Sequence, residues 1–226
     1  MSRPRALDLF CGAGGAGMGL HRAGFDVVGV DIKLQRRYPF TFIQGDALQP
    51  PVRISDFDFI WASPPCQAHT SMNSMWNAKE HEDLIGPTRQ LLERSGLLFV
   101  IENVPGAPLR TSIRLCGGSF GLGATCDDGK YRQLARHRHF ETALPVLAPS
   151  CGCDAVEKLG IYGGLGGQAN RTPPYTYGFK ANVREARIAL DMPWAMTDEL
   201  CQAIPPAYSE FIGRYALRHL AQEHAA

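Results

Sequence analysis

The 226-residue sequence contains no apolar run near the roughly 20 residues that span a bilayer. Its N-terminal MSRPRALDLF leads straight into a strand-like segment, without a separate apolar stretch and small-residue cleavage site. Neither a membrane span nor a secretion signal is expected, and the expected location is the cytoplasm. Charge of one sign is also missing: 23 Lys and Arg stand against 22 Asp and Glu, a formal net charge of +1. A polyanion partner would therefore need a local basic face. Arg132, Arg136, His137, Arg138 and His139 fall within eight residues and offer one, although a solvated charged loop is the plainer reading of such a run. The seven cysteines (11, 66, 116, 126, 151, 153 and 201) are odd in number, which argues for reduced thiols. Cys151-Gly-Cys153, with Cys126 upstream, matches no strong zinc signature, and no nearby histidine completes a tetrahedral set. No metal is expected.

What is present is an alternation of strands and helices. Ala6 to Phe10 reads as a short strand, followed by a glycine-rich turn and a helix through His21. Val27–Val30, Phe40–Ile43 and Phe57–Ala62 read as further strands, the first ending at Asp31 and the second leading to Asp46. A helix near Asp83–Arg94 ends at Gly96, before the continuous apolar run Leu97–Ile101, typical of a strand covered on both faces. The pattern predicts an α/β fold with a mostly parallel, doubly wound sheet. From Pro105 to about Asn182 glycine and proline are frequent and periodicity is poor. Helical signals return at Val183–Leu190 and Thr197–Ala203, where Thr197 and Asp198 can cap. A final helix follows Pro205-Pro206, its Tyr208, Phe211, Ile212, Tyr215 and Ala216 spaced to pack on the sheet. The expected organisation is a catalytic and cofactor-binding domain (1–143), a small irregular insert (144–182) and C-terminal helices completing the first domain (183–226).

Two stretches carry chemistry. In DLFCGAGGAGMGL (Asp8–Leu20) glycines between a strand and a helix let backbone approach a ligand and expose amides at a helix N-terminus. Asp31 closes the second strand 19 residues beyond Gly12, the spacing at which a carboxylate accepts from ribose hydroxyls, and Asp46 could hold an adenine amino group. Alone, this indicates an adenosine-containing cofactor and does not separate a dinucleotide oxidoreductase from a methyl-donor enzyme. In SPPCQAHT (Ser63–Thr70) two prolines stop the strand ladder and present Cys66 on stiff backbone at the sheet edge where open α/β sheets place ligands. The polar loop from Gln67 to Glu80, with Asn73, Met75 and Trp76, is a natural lid.

Five motifs in order, DLFCGAGG, SPPCQ, IENV (Ile101–Val104), RHRHFE (Arg136–Glu141) and QAIPP (Gln202–Pro206), resemble those of DNA cytosine-5 methyltransferases, in particular the compact members of bacterial viruses and their hosts. The resemblance implies a Rossmann-like S-adenosylmethionine-dependent fold. It implies Cys66 as the nucleophile adding to C6 of a flipped-out cytosine, in a short sequence context. Glu102 would contact N3 and the amino group, Arg138 the cytosine carbonyl, and Arg136 would support Arg138 or a phosphate. It places S-adenosylmethionine against Phe10, Cys11, Gly12, Ala13, Gly14, Gly15, Asp31, Ile32, Asp46, Ala47 and Pro65, with Gln202, Ala203 and Ile204 from the last motif. Gln67, Asn103, Arg171, Tyr175, Tyr177 and Lys180 become candidate DNA contacts. The implied partner is double-stranded DNA, bound by a monomer, with restriction-modification as the associated setting.

The chemistry has its own logic. Cytosine C5 is a poor nucleophile, and addition of a thiolate at C6 turns it into an enamine-like carbon. The base must leave the stack to be reached, and nearby cationic or amide donors would be expected to lower the thiol pKa. The sequence departs from the family pattern at Leu134, where a glutamine is usual, and at Cys201-Gln202, where Gly-Asn is usual. The second departure leaves open a modified form of S-adenosylmethionine as donor. The insert, about 40 residues around YGGLGGQANRTPPYTYGFK, suits readout of roughly two to four base pairs by the number of side chains a groove admits. The alternatives are an RNA cytosine-5 methyltransferase and a catalytically silent DNA-binding regulatory subunit of the same fold.

Overall fold

The alternation of short apolar runs with amphipathic segments yields a seven-stranded sheet with helices on both faces. The computed structural model describes residues 2–66, 82–153, 157–163 and 179–223. In chain order the elements are β1 (Arg5–Leu9), α1 (Gly15–Ala23), β2 (Asp26–Asp31), β3 (Thr41–Gln44), β4 (Phe59–Ala62), α2 (Ile85–Ser95), β5 (Leu98–Asn103) and β6 (Ser112–Leu115). There follow β7 (Gly123–Thr125), β8 (Tyr131–Leu134), β9 (Arg138–Thr142), β10 (Lys158–Gly160), β11 (Phe179–Lys180), α3 (Val183–Leu190), α4 (Thr197–Gln202) and α5 (Pro206–Glu223). No helix of the described residues is long and apolar enough to cross a membrane.

The large sheet runs β3-β2-β1-β4-β5-β9-β6. Its first five strands are parallel, with Leu9 opposite both Val30 and Ala62, and Ala62 opposite Ile101. This register brings the carboxyl ends of β1, β2, β4 and β5 to one edge. Strand order reverses between β1 and β4, and such a switch point is where open α/β sheets hold ligands. The last two strands, β9 and β6, are antiparallel additions.

One face is covered by α1 and α5, where Leu20, Tyr208, Ile212 and Ala216 meet Phe59, Trp61 and Phe140. The other face buries Leu92 of α2 with Leu7, Leu9, Ile60 and Ile101. Truncating a fully buried leucine such as Leu92 would cost roughly 2–5 kcal/mol. The two helices α1 and α5 approach closely because of glycine: a Cβ on Gly19 would sit 2.0 Å from the Pro206 carbonyl oxygen. Phe211 and Tyr215 are only partly buried at the margin of this core. At α4 the first turn is satisfied not by Thr197 or Asp198 but by Glu199, whose carboxylate accepts from the Met196 amide at 2.6 Å.

A second sheet, β11-β10-β8-β7, packs on α3 through Leu134, Leu159, Ala186 and Leu190. Its members span 123–180, so the boundary expected at residue 144 cuts through it, with β7 and β8 on one side and β10 and β11 on the other. These strands are two to four residues long, too short to show alternation in the sequence. Arg132 ties them together: it pairs with Asp128 at 2.7 Å and Glu157 at 3.0 Å, and its guanidinium lies 3.9 Å from the Phe179 ring centroid. With Arg132 and Arg136 both buried, the basic run 132–139 is not one exposed face.

Candidate active site

The glycine loop leaves β1 with three residues at positive φ, Phe10 (56°), Gly12 (47°) and Gly14 (85°). The Gly12 amide donates to Asp31 Oδ2 at 3.0 Å, and the Lys33 amide donates to Oδ1 at 2.8 Å, so the carboxylate at the end of β2 is fixed from both sides. A Cβ on Gly12 would meet nothing within 4 Å. Gly12 therefore borders open space, whereas Gly14 and Gly15 serve packing: a Cβ there would lie 2.7 Å from Pro39 or 2.3 Å from the Ile204 carbonyl oxygen. Cys11, Ala13 and Ala47 are buried behind this surface. Ile32, 68% exposed, stands beside Asp31, and the exposed Asp46 accepts from the Leu48 amide at 2.9 Å. An open glycine, a braced carboxylate and a free apolar face fit an adenosine group, with an edge for hydroxyls and a surface for a base. Asp8 lies beneath the loop, fully buried, with Tyr38 donating to its Oδ2 at 2.9 Å.

The second group sits one strand over. Ser63 continues the β4 line, its amide donating to the Leu9 carbonyl at 3.1 Å, and Trp61 Nε1 donates to its hydroxyl at 3.0 Å. Asn103, at the end of β5, donates from Nδ2 to the Pro64 carbonyl at 2.9 Å while its Oδ1 accepts from the Val104 amide. This buried amide clamps the proline turn that carries Cys66, so Asn103 holds protein backbone in this structure. Pro65 is exposed and Cys66 half-buried. Gln67 and the expected lid lie outside the described residues.

Beside this turn, Glu102 is 6% exposed and its Oε1 lies 3.1 Å from Arg138 Nε. The pair is ionic without hydrogen-bond alignment, so Oε1 keeps its accepting capacity. Burial raises the Glu102 carboxyl above its ordinary value, with Arg138 and the Ser63 hydroxyl opposing. Cys66 is raised as well: burial outweighs the attraction of Arg138, and Glu102 adds to the rise. The expectation of a lowered thiol pKa is thus corrected. A single guanidinium already shared with a carboxylate does not offset desolvation of the thiolate.

Arg136 is buried, and its guanidinium donates to the carbonyls of Leu200, at 3.1 Å, and Cys201 at the end of α4. Burial, followed by the charge of Arg138, pulls it down to about 9. It links the arginine motif to the QAIPP motif, whose Ile204 is buried against α1 while Gln202 is exposed. Lys180 lies on the small sheet, its Nζ 5.6 Å from the Tyr162 ring centroid. Arg171, Tyr175 and Tyr177 lie outside the described residues.

Two side-chain groups were missed by the sequence reading. Arg89 of α2 and Glu141 of β9 form a buried two-pronged pair, at 2.7 and 2.8 Å. Cys116, His137, Cys151 and Cys153 converge so that their ligand atoms all lie within 4.8 Å of one another. The sequence argument considered Cys126, which is buried in the small sheet with its Sγ 3.8 Å from the Ala124 carbonyl oxygen. His137 is 14 residues from Cys151 along the chain, so sequence proximity does not mark it as a partner.

Comparison with known proteins shows what this chain is similar to. Residues 5–111 match the family model described as C-5 cytosine-specific DNA methylase. Over that segment, just under half of its length, the chain is similar to the C-5 cytosine-specific DNA methylase family. A Type II methyltransferase, M.XorII of Xanthomonas oryzae pv. oryzae, is 32% identical over 124 residues, covering 47% of this chain and 29% of that protein. The chain thus matches less than a third of that relative's length. The solved structure of the Entamoeba histolytica methyltransferase EhMeth aligns over 97% of this chain and 99% of its own, with 12% identity and a TM-score of 0.50. The fold is accordingly Rossmann-like and shared with that methyltransferase.

Proposed function

We propose that this chain is a cytosine-5 methyltransferase acting on duplex DNA, with Cys66 as the nucleophile. The observation that carries the reading is the convergence of Cys66, Glu102 and Arg138 beside the glycine loop, at the switch point of the sheet. A binding module has no use for a thiol held next to a buried acid and guanidinium.

S-adenosylmethionine would lie over Gly12 and Ile32, with Asp31 receiving its ribose hydroxyls and Asp46 its adenine amino group. Bound there, it supplies an electrophilic methyl group. Cys66 gives its proton to solvent water and, as the thiolate, adds through sulfur to C6 of a cytosine drawn out of the duplex. Glu102, whose carboxyl is raised by burial, donates a proton at N3 and accepts from the exocyclic amine, which drives electron density to C5. Arg138 holds Glu102 in place and offers its remaining N–H groups to the cytosine carbonyl. After methyl transfer, water takes the C5 proton, the C6–S bond breaks with its electron pair returning to Cys66, and N3 gives its proton back to Glu102, which restores the aromatic ring. Arg136 acts as a positioning residue from the end of α4. Gln67 closes over the base with the rest of the lid, and Arg171, Tyr175, Tyr177 and Lys180 read a short sequence.

Incubation with duplex DNA and labelled S-adenosylmethionine, followed by bisulfite sequencing, tests this directly. C5-methylated cytosine in a short context is expected, with Cys66→Ala reducing turnover by roughly 10³-fold or more. Undiminished activity of that variant would overturn the mechanism. Preference for transfer RNA over DNA would assign the RNA substrate instead, and DNA binding without any methylation would assign a regulatory subunit.

A further inference from the structure

Three segments distant in sequence meet behind the arginine motif. The β6–β9 register pairs Leu115 with Arg138, so the next residues outward, Cys116 and His137, stand side by side. The chain then returns from β9 through Ser150, whose carbonyl accepts from the Ser119 hydroxyl at 2.9 Å, and delivers Cys151-Gly-Cys153 to the same spot. His137 Nε2 lies 3.3 Å from Cys151 Sγ and 3.5 Å from Cys153 Sγ, and the two sulfurs are 3.1 Å apart.

These separations have a chemical meaning. A disulfide needs sulfurs about 2.05 Å apart, so Cys151 and Cys153 are not bonded. A tetrahedral zinc with bonds of about 2.3 Å to sulfur and 2.0 Å to nitrogen sets its ligand atoms roughly 3.5–3.8 Å apart. The cluster spans that value, from 3.1 Å to a limit of 4.8 Å. Three thiols and one imidazole make a closed set, with four protein ligands and no position left for substrate, the arrangement of structural rather than catalytic zinc. Thiolate-rich tetrahedral sites favour zinc over the harder divalent ions, which prefer oxygen. Cys116 and Cys153 are buried, which shields the site from solvent.

We propose that Cys116, His137, Cys151 and Cys153 bind a structural zinc ion that fixes the strand end carrying Arg138. Binding displaces a proton from each of the three thiols and leaves His137 neutral, with Nε2 on the metal. The ion joins β6, β9 and the start of the segment running to β10, whose apolar anchors in the main core are Leu115, Phe140, Leu144 and Val146. Its influence on the reactive centre passes through one residue: Arg138 follows His137 directly, and its Nη1 donates to the His137 carbonyl at 2.8 Å. Only that link rests on the proposed methyl transfer; the metal site does not.

The test reads metal without substrate. The full chain, produced in zinc-supplemented medium and desalted without chelator, should carry about one zinc per chain by elemental mass spectrometry. Replacing zinc by cobalt(II) should give the intense visible bands of a tetrahedral ion and a thiolate-to-metal charge-transfer band. Cys116→Ser and Cys151→Ser should each lose most of the zinc, whereas Cys126→Ser should retain it. His137→Cys completes a four-thiolate set and should also retain zinc, with a stronger charge-transfer band, which keeps the test informative if the serine variants fail to fold. Less than about a tenth of a zinc per wild-type chain, or a cobalt spectrum without thiolate bands, would overturn the proposal, as would a Cys151–Cys153 disulfide in freshly purified reduced protein. Methylation activity with no bound zinc would refute the site alone, and bound zinc with no methylation would refute the reaction alone.

Discussion

Two strands of the same sheet each bury a carboxyl group, and they shift its ionisation in opposite directions. Asp8 of β1, in the parallel half, has Tyr38 as its side-chain donor, and burial pushes it up to about 7. Glu141 of β9, in the antiparallel half, also feels burial. The fork of Arg89 and the Arg110 amide outweigh it, holding the carboxyl below the usual range. Desolvation raises both groups, and at Glu141, the less deeply buried of the two, the paired guanidinium overcomes it. The parallel half is held by apolar contact on both faces and tolerates a neutral acid under its ligand loop. The antiparallel end, which carries Arg138, adds a buried ion pair, Arg89 with Glu141, to its apolar contacts.

The sharpest way to break this contrast is to remove the fork. Arg89→Met should destabilise the chain by about 3–5 kcal/mol in chemical denaturation, because Glu141 is left buried and charged. The double variant Arg89→Met/Glu141→Leu should recover most of that loss, since an apolar pair of similar volume carries no desolvation penalty. A cost below about 1 kcal/mol for the single variant would mean that β9 is not held by this pair.

Acid and base should then act on the two halves with opposite sign. Glu141 has a lowered folded pKa, so its contribution is complete above the ordinary carboxylate value of 4.5 and is lost as pH falls. Asp8 has a raised folded pKa, near 7 against 3.8 unfolded. Between those values the unfolded chain binds fewer protons, so stability falls as pH rises, by up to about 1.4 kcal/mol per pH unit. Asp8→Asn keeps the acceptor for Tyr38 and removes the titration. Denaturation midpoints of this variant should be flatter from pH 4 to 7 than those of the wild type, and an unchanged slope would mean that Asp8 is ionised in the folded protein.

The same division explains what could be read from sequence. In the parallel half the informative pairs are local or sit on strand ends: Gly12 and Asp31 are 19 residues apart and joined by one hydrogen bond. Apolar runs bounded by turns mark β1, β2, β4 and β5, and the helix expected at Val183–Leu190 matches α3. In the antiparallel half the partners are far apart and carry no period. Arg89 and Glu141 lie 52 residues apart, and nothing in either neighbourhood points to the other. His137 was read as one charge in a basic run because its cysteine partners come from two other segments. The raised thiol of Cys66 was equally hidden, since it depends on how much solvent the fold removes and not on which cation is near.

Cys66 lies where the two halves meet, between the β4 turn and Arg138, and gives a finer test of their balance. If burial outweighs Arg138, the thiol stays protonated at neutral pH and reacts slowly with iodoacetamide until the pH passes its ordinary value of 9.0. Peptide mass spectrometry, which separates Cys66 from the other six cysteines, should show alkylation at pH 7.5 several-fold slower than a free thiol. Arg138→Ala removes the opposing charge and should slow it further, whereas Glu102→Gln removes a repelling carboxylate and should speed it. Alkylation at neutral pH as fast as a thiolate's would place the cation above burial. The proton would then already be gone before cytosine arrives, and Glu102 would be left with the only proton transfer that the site must arrange on binding.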